Sequence, residues 1–263
     1  MGLEGFEEFE FTHDGKTRTV FRQGEGPAVL ITHELAGLSP ETLDFGRRVA
    51  QNGLTAVLPL LFGTPGTPPT RSSLARNLVH VCLSREFYVL ARRRSSPITE
   101  WLRALCRHLH AEHGGPGVGA VGMCLTGGFA LALMVDESVM APVLSQPALP
   151  FPITPSHKAA LGISDEALST AKRRAQAGCP VLGLRFTNDW MCPAERFDTL
   201  QRELGPHFEG IEIDSSPNNP YNIEPNAHSV LTIDLVDEEG HPTREALERV
   251  LELLRERLLV QRK

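Results

Sequence analysis

The run Gly122-Met123-Cys124-Leu125-Thr126-Gly127-Gly128 has the residue types and spacing for thiol chemistry. Before it, Val118 to Val121 reads as a buried strand; after it, Phe129 to Val135 reads as a buried helix. A strand that turns sharply into a helix presents a nucleophile at the turn, and here that position holds cysteine. A cysteine at a helix N-terminus meets free backbone N–H groups and the positive end of the helix dipole. Both favour the reactive thiolate. Gly122 lets the turn clear the strand, and Gly127 and Gly128 let the helix pack closely. The N–H of Leu125, just after the nucleophile, is expected to point where an oxyanion would form. The competing reading of Cys124 is a buried small hydrophobe, the usual fate of a free cysteine.

Hydrolases with such an elbow place nucleophile, acid and histidine in that chain order. Asp189 follows Cys124 at the end of a predicted strand, Pro180 to Phe186. Its rivals are Asp198, on a predicted helix face, and Asp214, at the end of the next strand; Asp214 is the stronger of the two. Four histidines follow Cys124. His157 precedes the acid strand, His207 begins a strand and His241 starts the last helix, so position selects His228. Asp189 would orient the imidazole, and His228 would take the thiol proton and then activate water against a thioester. Upstream, Thr32-His33-Glu34-Leu35-Ala36-Gly37 leaves an early buried strand, and the N–H of Leu35 is placed to act as a second oxyanion donor. Glu34 is expected near the thiol, where a carboxylate would oppose thiolate formation and could accept its proton. A solvated or capping carboxylate is the equal alternative.

The elements that must carry these residues alternate. Phe6 to Arg22 around Asp14-Gly15 predicts an antiparallel hairpin. Ala28 to Thr32 and Leu54 to Leu58 predict buried strands. Between them lies a helix capped by Ser39, with Pro40 at its first position and Asn52-Gly53 as its stop. Leu61 to Ser73, rich in Gly, Pro and Thr, predicts a loop. Ser96-Pro97 opens a helix whose Ile98, Trp101, Leu102, Leu105 and Leu109 share one face. Beyond the elbow come a strand at Ala141 to Leu144, a helix at Ser164 to Ala177 and a strand at Phe208 to Asp214. The turn-rich loop Ser215 to Ala227 follows. The closing helix, Thr243 to Leu259, turns Leu247, Val250, Leu251, Leu254 and Leu258 inward. This alternation predicts an α/β fold, with a mainly parallel, doubly wound sheet and an N-terminal antiparallel hairpin. Ligands then bind at the carboxyl ends of the strands. With no repeat or linker, residues 1–263 read as a single domain.

Composition narrows the class. Apolar residues make up 41% and charged residues 22% of 263, enough for a sizeable core and against bulk disorder. A net charge of -6 without a long Lys/Arg cluster argues against nucleic acid. No stretch has the length and apolarity of a membrane span. Met1 to Glu10 lacks the apolar core of a signal peptide, and Phe6 breaks a myristoylation signal. The five cysteines (Cys82, Cys106, Cys124, Cys179 and Cys192) form no CxxC pair, which fits a reducing cytoplasm better than disulfides or zinc. Cys82, Cys106, Cys179 and Cys192 read as packing residues, and no resolving cysteine is evident. The expectation is therefore a cytoplasmic monomer or homodimer acting on a small molecule, without metal or cofactor.

These residues together resemble the dienelactone hydrolase family. The resemblance rests on His33-Glu34-Leu35-Ala36-Gly37-Leu38, on Gly53 to Phe62, on Gly122 to Gly128, on Asp189 and on His228, and it spans about residue 25 to the carboxyl end. It implies an α/β-hydrolase fold, a Cys-His-Asp triad without metal, hydrolysis of an ester or lactone, and a glutamate at Glu34 that modulates the resting thiol. The best-known substrate of the family is a dienelactone from chloroaromatic breakdown, which yields maleylacetate. The chain departs from the family in several places. Thr126 stands where the family usually has glycine, Ser229-Val230 follows the histidine, and Ser215 to Ala227 is long. The family's substrate-binding arginines find no clear counterpart. Arg85 and Arg94, the latter in the run Arg92-Arg93-Arg94, are candidates for meeting a substrate carboxylate; a solvated run is their simpler reading. Two alternatives remain: a broader carboxylesterase or thioesterase on the same triad, and a silent relative that only binds a small molecule.

Overall fold

The computed structural model describes residues 3–83 and 96–259. Its strands are β1 (Glu7–His13), β2 (Lys16–Gln23), β3 (Ala28–Thr32), β4 (Thr55–Pro59), β5 (Val118–Met123), β6 (Val139–Ser145), β7 (Val181–Phe186) and β8 (Phe208–Ile213). They form one sheet in the order β1-β2-β4-β3-β5-β6-β7-β8. β1 pairs antiparallel with β2, and β2 with β4; every other pairing is parallel. The expected α/β-hydrolase sheet with its N-terminal hairpin is present.

The helices are α1 (Pro40–Gln51), α2 (Arg71–Leu83), α3 (Pro97–His113), α4 (Phe129–Leu133), α5 (Pro155–Ala159), α6 (Asp165–Gln176), α7 (Ala194–Leu204) and α8 (Pro242–Leu258). They cover both faces of the sheet. α3, α4, α6 and α7 bury one apolar cluster, and α1 and α8 bury the other. β3 serves both clusters, with Leu30 in the first and Val29 and Ile31 in the second. That is why all five of its residues are buried and why it reads as a continuous apolar run.

Local signals set the helix starts. The hydroxyls of Ser39, Ser96 and Ser164 accept the N–H of Thr42, Thr99 and Ala167 at 3.4, 3.3 and 3.1 Å. Each such cap stabilises its helix by about 1 kcal/mol. The predicted inner faces of α3 and α8 are buried. Trp101 on α3 is only 1% exposed, and its indole N–H donates to Lys16 O at 3.0 Å. Two helices depart from the sequence expectation. α2 begins at Arg71, inside the stretch expected as loop, with its start held by mutual bonds between Thr70 and Ser73. α5 is a single short helix capped by Thr154, with no buried residue and hence no apolar stripe to reveal it.

Candidate active site

The carboxyl ends of β3, β5, β6 and β7 deliver the candidate residues. At the end of β5 the chain enters one 3-10 turn, Cys124–Thr126, before α4. Cys124 has φ +56°, a left-handed conformation that disfavours a side chain. Its surroundings enforce that conformation. A Cβ on Gly122 would lie 2.4 Å from Thr126 O, and one on Gly127 would lie 2.5 Å from Pro147 Cα. Gly128 differs from expectation: a Cβ there meets only Leu161 O at 3.5 Å, an ordinary contact. The Cys124 carbonyl accepts from Gly127 N–H and Ala148 N–H, both at 2.9 Å, so the segment after β6 buttresses the turn.

The end of β7 places Asp189 against His228. His228 Nδ1 lies 2.7 Å from Asp189 Oδ2, and the other carboxylate oxygen accepts Met191 N–H at 2.9 Å. His228 Nε2 is buried and has no hydrogen-bond partner among the described residues. Cys124 nonetheless lies near enough to act on the imidazole's charge. Burial alone would lower the His228 pKa. The Asp189 hydrogen bond, Cys124 and the charges of both outweigh it and push the pKa up to about 11. The rival Asp214 is exposed and accepts the Ser216 N–H instead.

At the exit of β3, Glu34 is buried, and its carboxylate takes bonds of 2.8 Å from Gln146 Nε2, Ser229 Oγ and Thr232 Oγ1. No hydrogen bond joins it to Cys124 among the described residues. Burial raises its pKa, opposed by the charge of His228 and the Thr232 and Ser229 hydroxyls. Ser229 adjoins His228, so the Glu34 carboxylate grips the histidine loop. Asp234 grips the same loop, accepting the N–H of His228 at 2.9 Å and of Ser229 at 2.8 Å. Gln146, Thr232 and Asp234 were not foreseen. For Gln146 the one available signal was its place just past a predicted strand, at the ligand-binding end of the sheet.

The N–H groups of Leu35 and Leu125 make no hydrogen bond among the described residues. That leaves both able to donate to a ligand. Beside Leu125 lies a shallow apolar niche of about 10 Å³, room for about one water, lined by Leu125, Gly128, Phe129, Leu149, Leu161 and Gly162. A larger cavity of about 200 Å³ between α3, α4 and α6 is lined by none of the candidate residues. Burial raises the thiols of Cys106 and Cys192, the latter to about 12, which makes both inert packing groups. Cys179 is also buried. Arg85 and Arg94 lie outside the described residues. Together the geometry offers a thiol at a left-handed turn, an imidazole oriented by a carboxylate and two N–H donors without a partner among the described residues, an arrangement that could serve acyl transfer.

The dienelactone hydrolase family model matches residues 17–257. No curated protein matches the chain. Among solved structures, the dienelactone hydrolase of Anabaena variabilis is similar, at 17% identity and a TM-score of 0.59, over 97% of this chain and 100% of that one. A dienelactone hydrolase-like promiscuous phosphotriesterase from metagenomic libraries has 15% identity and a TM-score of 0.61, over 96% and 98%. A cold-adapted esterase from an Arctic intertidal metagenomic library has 15% identity and a TM-score of 0.59, over 96% and 93%.

Proposed function

Because the chain belongs to the dienelactone hydrolase family of ester hydrolases, we propose that it cleaves a small ester or lactone through Cys124, His228 and Asp189. The observation that carries this reading is His228, bonded at Nδ1 to Asp189 and left with a buried, unpartnered Nε2 near the thiol.

Each step follows from that arrangement. Cys124 Sγ adds as thiolate to the ester carbonyl carbon, and the oxyanion takes the N–H groups of Leu35 and Leu125. Collapse breaks the C–O bond, and the departing alcohol takes the proton from His228 Nε2. The neutral imidazole then takes a proton from water as the oxygen of that water adds to the thioester. The second collapse expels the thiolate and leaves the carboxylic acid. In a lactone the alcohol remains on the same molecule. Asp189 holds the imidazole in orientation and supports its charge. The route uses no cofactor. We place it in a single domain and in the cytoplasm.

The apolar lining beside Leu125 favours a second reading, a carboxylesterase or thioesterase indifferent to an acid group on the substrate. A carboxylate-bearing substrate would rely on Arg85 or Arg94.

The test is alkylation of Cys124 by iodoacetamide across pH, read by mass spectrometry, alongside turnover of p-nitrophenyl acetate. Labelling well below the free-thiol pKa of about 8.5, with turnover lost in Cys124→Ala, is the expected result. Turnover that survives in Cys124→Ala would overturn the proposal.

A further inference from the structure

We propose that His33 and Thr126 are positioning residues for the oxyanion hole: together they fix the Glu34–Leu35 peptide and the Cys124–Leu125 turn against one another. This rests on the hydrolase reading above and deepens it.

His33 is completely buried, with its ring edge-on to Phe62 at 4.5 Å between centroids. Leu61 N–H donates to His33 Nε2 at 3.1 Å, so that nitrogen carries no proton. The neutral ring therefore holds its proton on Nδ1, which donates to Glu34 O at 2.9 Å. Gly37 N–H donates to the same carbonyl at 2.9 Å, from a turn that needs the glycine's φ of +81°. A peptide unit is planar and trans, so its C=O and N–H point in opposite directions. Two donors on the Glu34 carbonyl thus set the direction of the Leu35 N–H. Flipping that peptide would leave two buried donors unpaired, His33 Nδ1–H among them. The carbonyl of Leu35 is held as well, by Asn77 Nδ2 at 2.9 Å.

Thr126 ties this segment to the elbow. Its hydroxyl, fully buried, accepts Met123 N–H at 3.2 Å. The hydroxyl proton faces Thr32 O at 2.9 Å, Met123 O at 3.0 Å and His33 O at 3.1 Å. The side chain thus points at the β3 exit and spans the gap between the two turns that carry the free N–H groups. A glycine at this position would leave the gap unbridged. Burial, with help from the Arg18 charge, holds His33 neutral by pushing its pKa to about 4, so the brace stays intact through the ordinary working range.

The test separates oxyanion chemistry from thiol chemistry. Alkylation of Cys124 by iodoacetamide displaces iodide at a saturated carbon and forms no oxyanion. Acylation by p-nitrophenyl acetate does form one. His33→Phe keeps the buried ring and removes both nitrogens. We expect its acylation burst to slow about 100-fold, in the range of losing one oxyanion donor, while alkylation stays within about twofold. Thr126→Val keeps the shape and loses the hydroxyl, for an expected slowing of about tenfold on the same scale. Thr126→Ser should recover most of that rate, and His33→Asn, which returns a donor near Nδ1, should recover part of the His33 loss. Should His33→Phe fail to fold, the Thr126 pair carries the test. Acylation and alkylation falling together, or acylation unchanged in both variants, would overturn the inference. If turnover also survives Cys124→Ala, the hydrolase reading itself falls; if only Cys124→Ala abolishes it, the loss is confined to this inference.

Discussion

Two histidines belong to the candidate site, His33 fully buried and His228 half-buried, and the fold treats them oppositely. His33, at the exit of β3, has a backbone carbonyl, a backbone N–H and the field of Arg18 around it, and its pKa falls to about 4. His228, in the loop after β8, faces Asp189 and Cys124, and its pKa rises to about 11. Burial pushes both the same way. The partners decide the outcome, because only a nearby carboxylate or thiolate repays the cost of a buried charge. On the proposed reading, one ring is a neutral brace and the other a proton carrier.

The sharpest way to break this comparison is to remove the His228 imidazole. His228→Ala should lower kcat/KM for p-nitrophenyl acetate by about 1,000-fold or more. A variant that keeps most of its turnover would leave His228 no more important than the brace. Asp189→Asn should cost about 100-fold or more and lower the His228 pKa, read by NMR titration of the imidazole, since Asp189 contributes both a hydrogen bond and a charge. Asp214→Asn, exposed and bonded to Ser216, is the matched control and should stay within about twofold.

Glu34→Gln should have a smaller effect, about tenfold on acylation, by loosening the grip on Ser229 and Thr232. Its alkylation–pH profile should match that of the parent, because the carboxylate is bonded to Gln146, Ser229 and Thr232 rather than to the thiol. A shifted profile would instead return Glu34 to the role of resting partner for the thiol.

The smallest expected effect is on stability. His33 is depressed in the fold, so its contribution is complete above pH about 6.5 and is lost as pH falls from there toward 4. His228 is raised, so its contribution is complete below about 6.5 and is lost as pH climbs toward 11. Urea midpoints across pH should show a shallower acid limb in His33→Phe than in the parent, and an unchanged limb would contradict a buried neutral His33.

Much of this was legible locally. The elbow declared itself through an apolar run, a nucleophile and tightly spaced glycines. Two helix starts declared themselves through Ser39 and Ser96, since a cap is a contact between residues three apart. α2 and α5 escaped because Pro- and Ser-rich sequence with a weak apolar stripe reads as loop. Thr126 was read as a departure that crowds the turn or adds a hydroxyl to the site; its hydroxyl instead points toward the β3 exit.

By itself the sequence determined the order of strands and helices and the thiol at the turn, along with the chain order of Cys124, Asp189 and His228. These follow from periodicity, caps and glycines, which act over a few residues. Only the tertiary structure decided which carboxylate meets which donor. Glu34 meets partners 112, 195 and 198 residues away, and Thr126 reaches back 94 residues to Thr32. Which loops the parallel sheet brings together at the carboxyl ends of its strands depends on strand order. Local sequence carries no record of that order, because every buried strand looks alike to its neighbours.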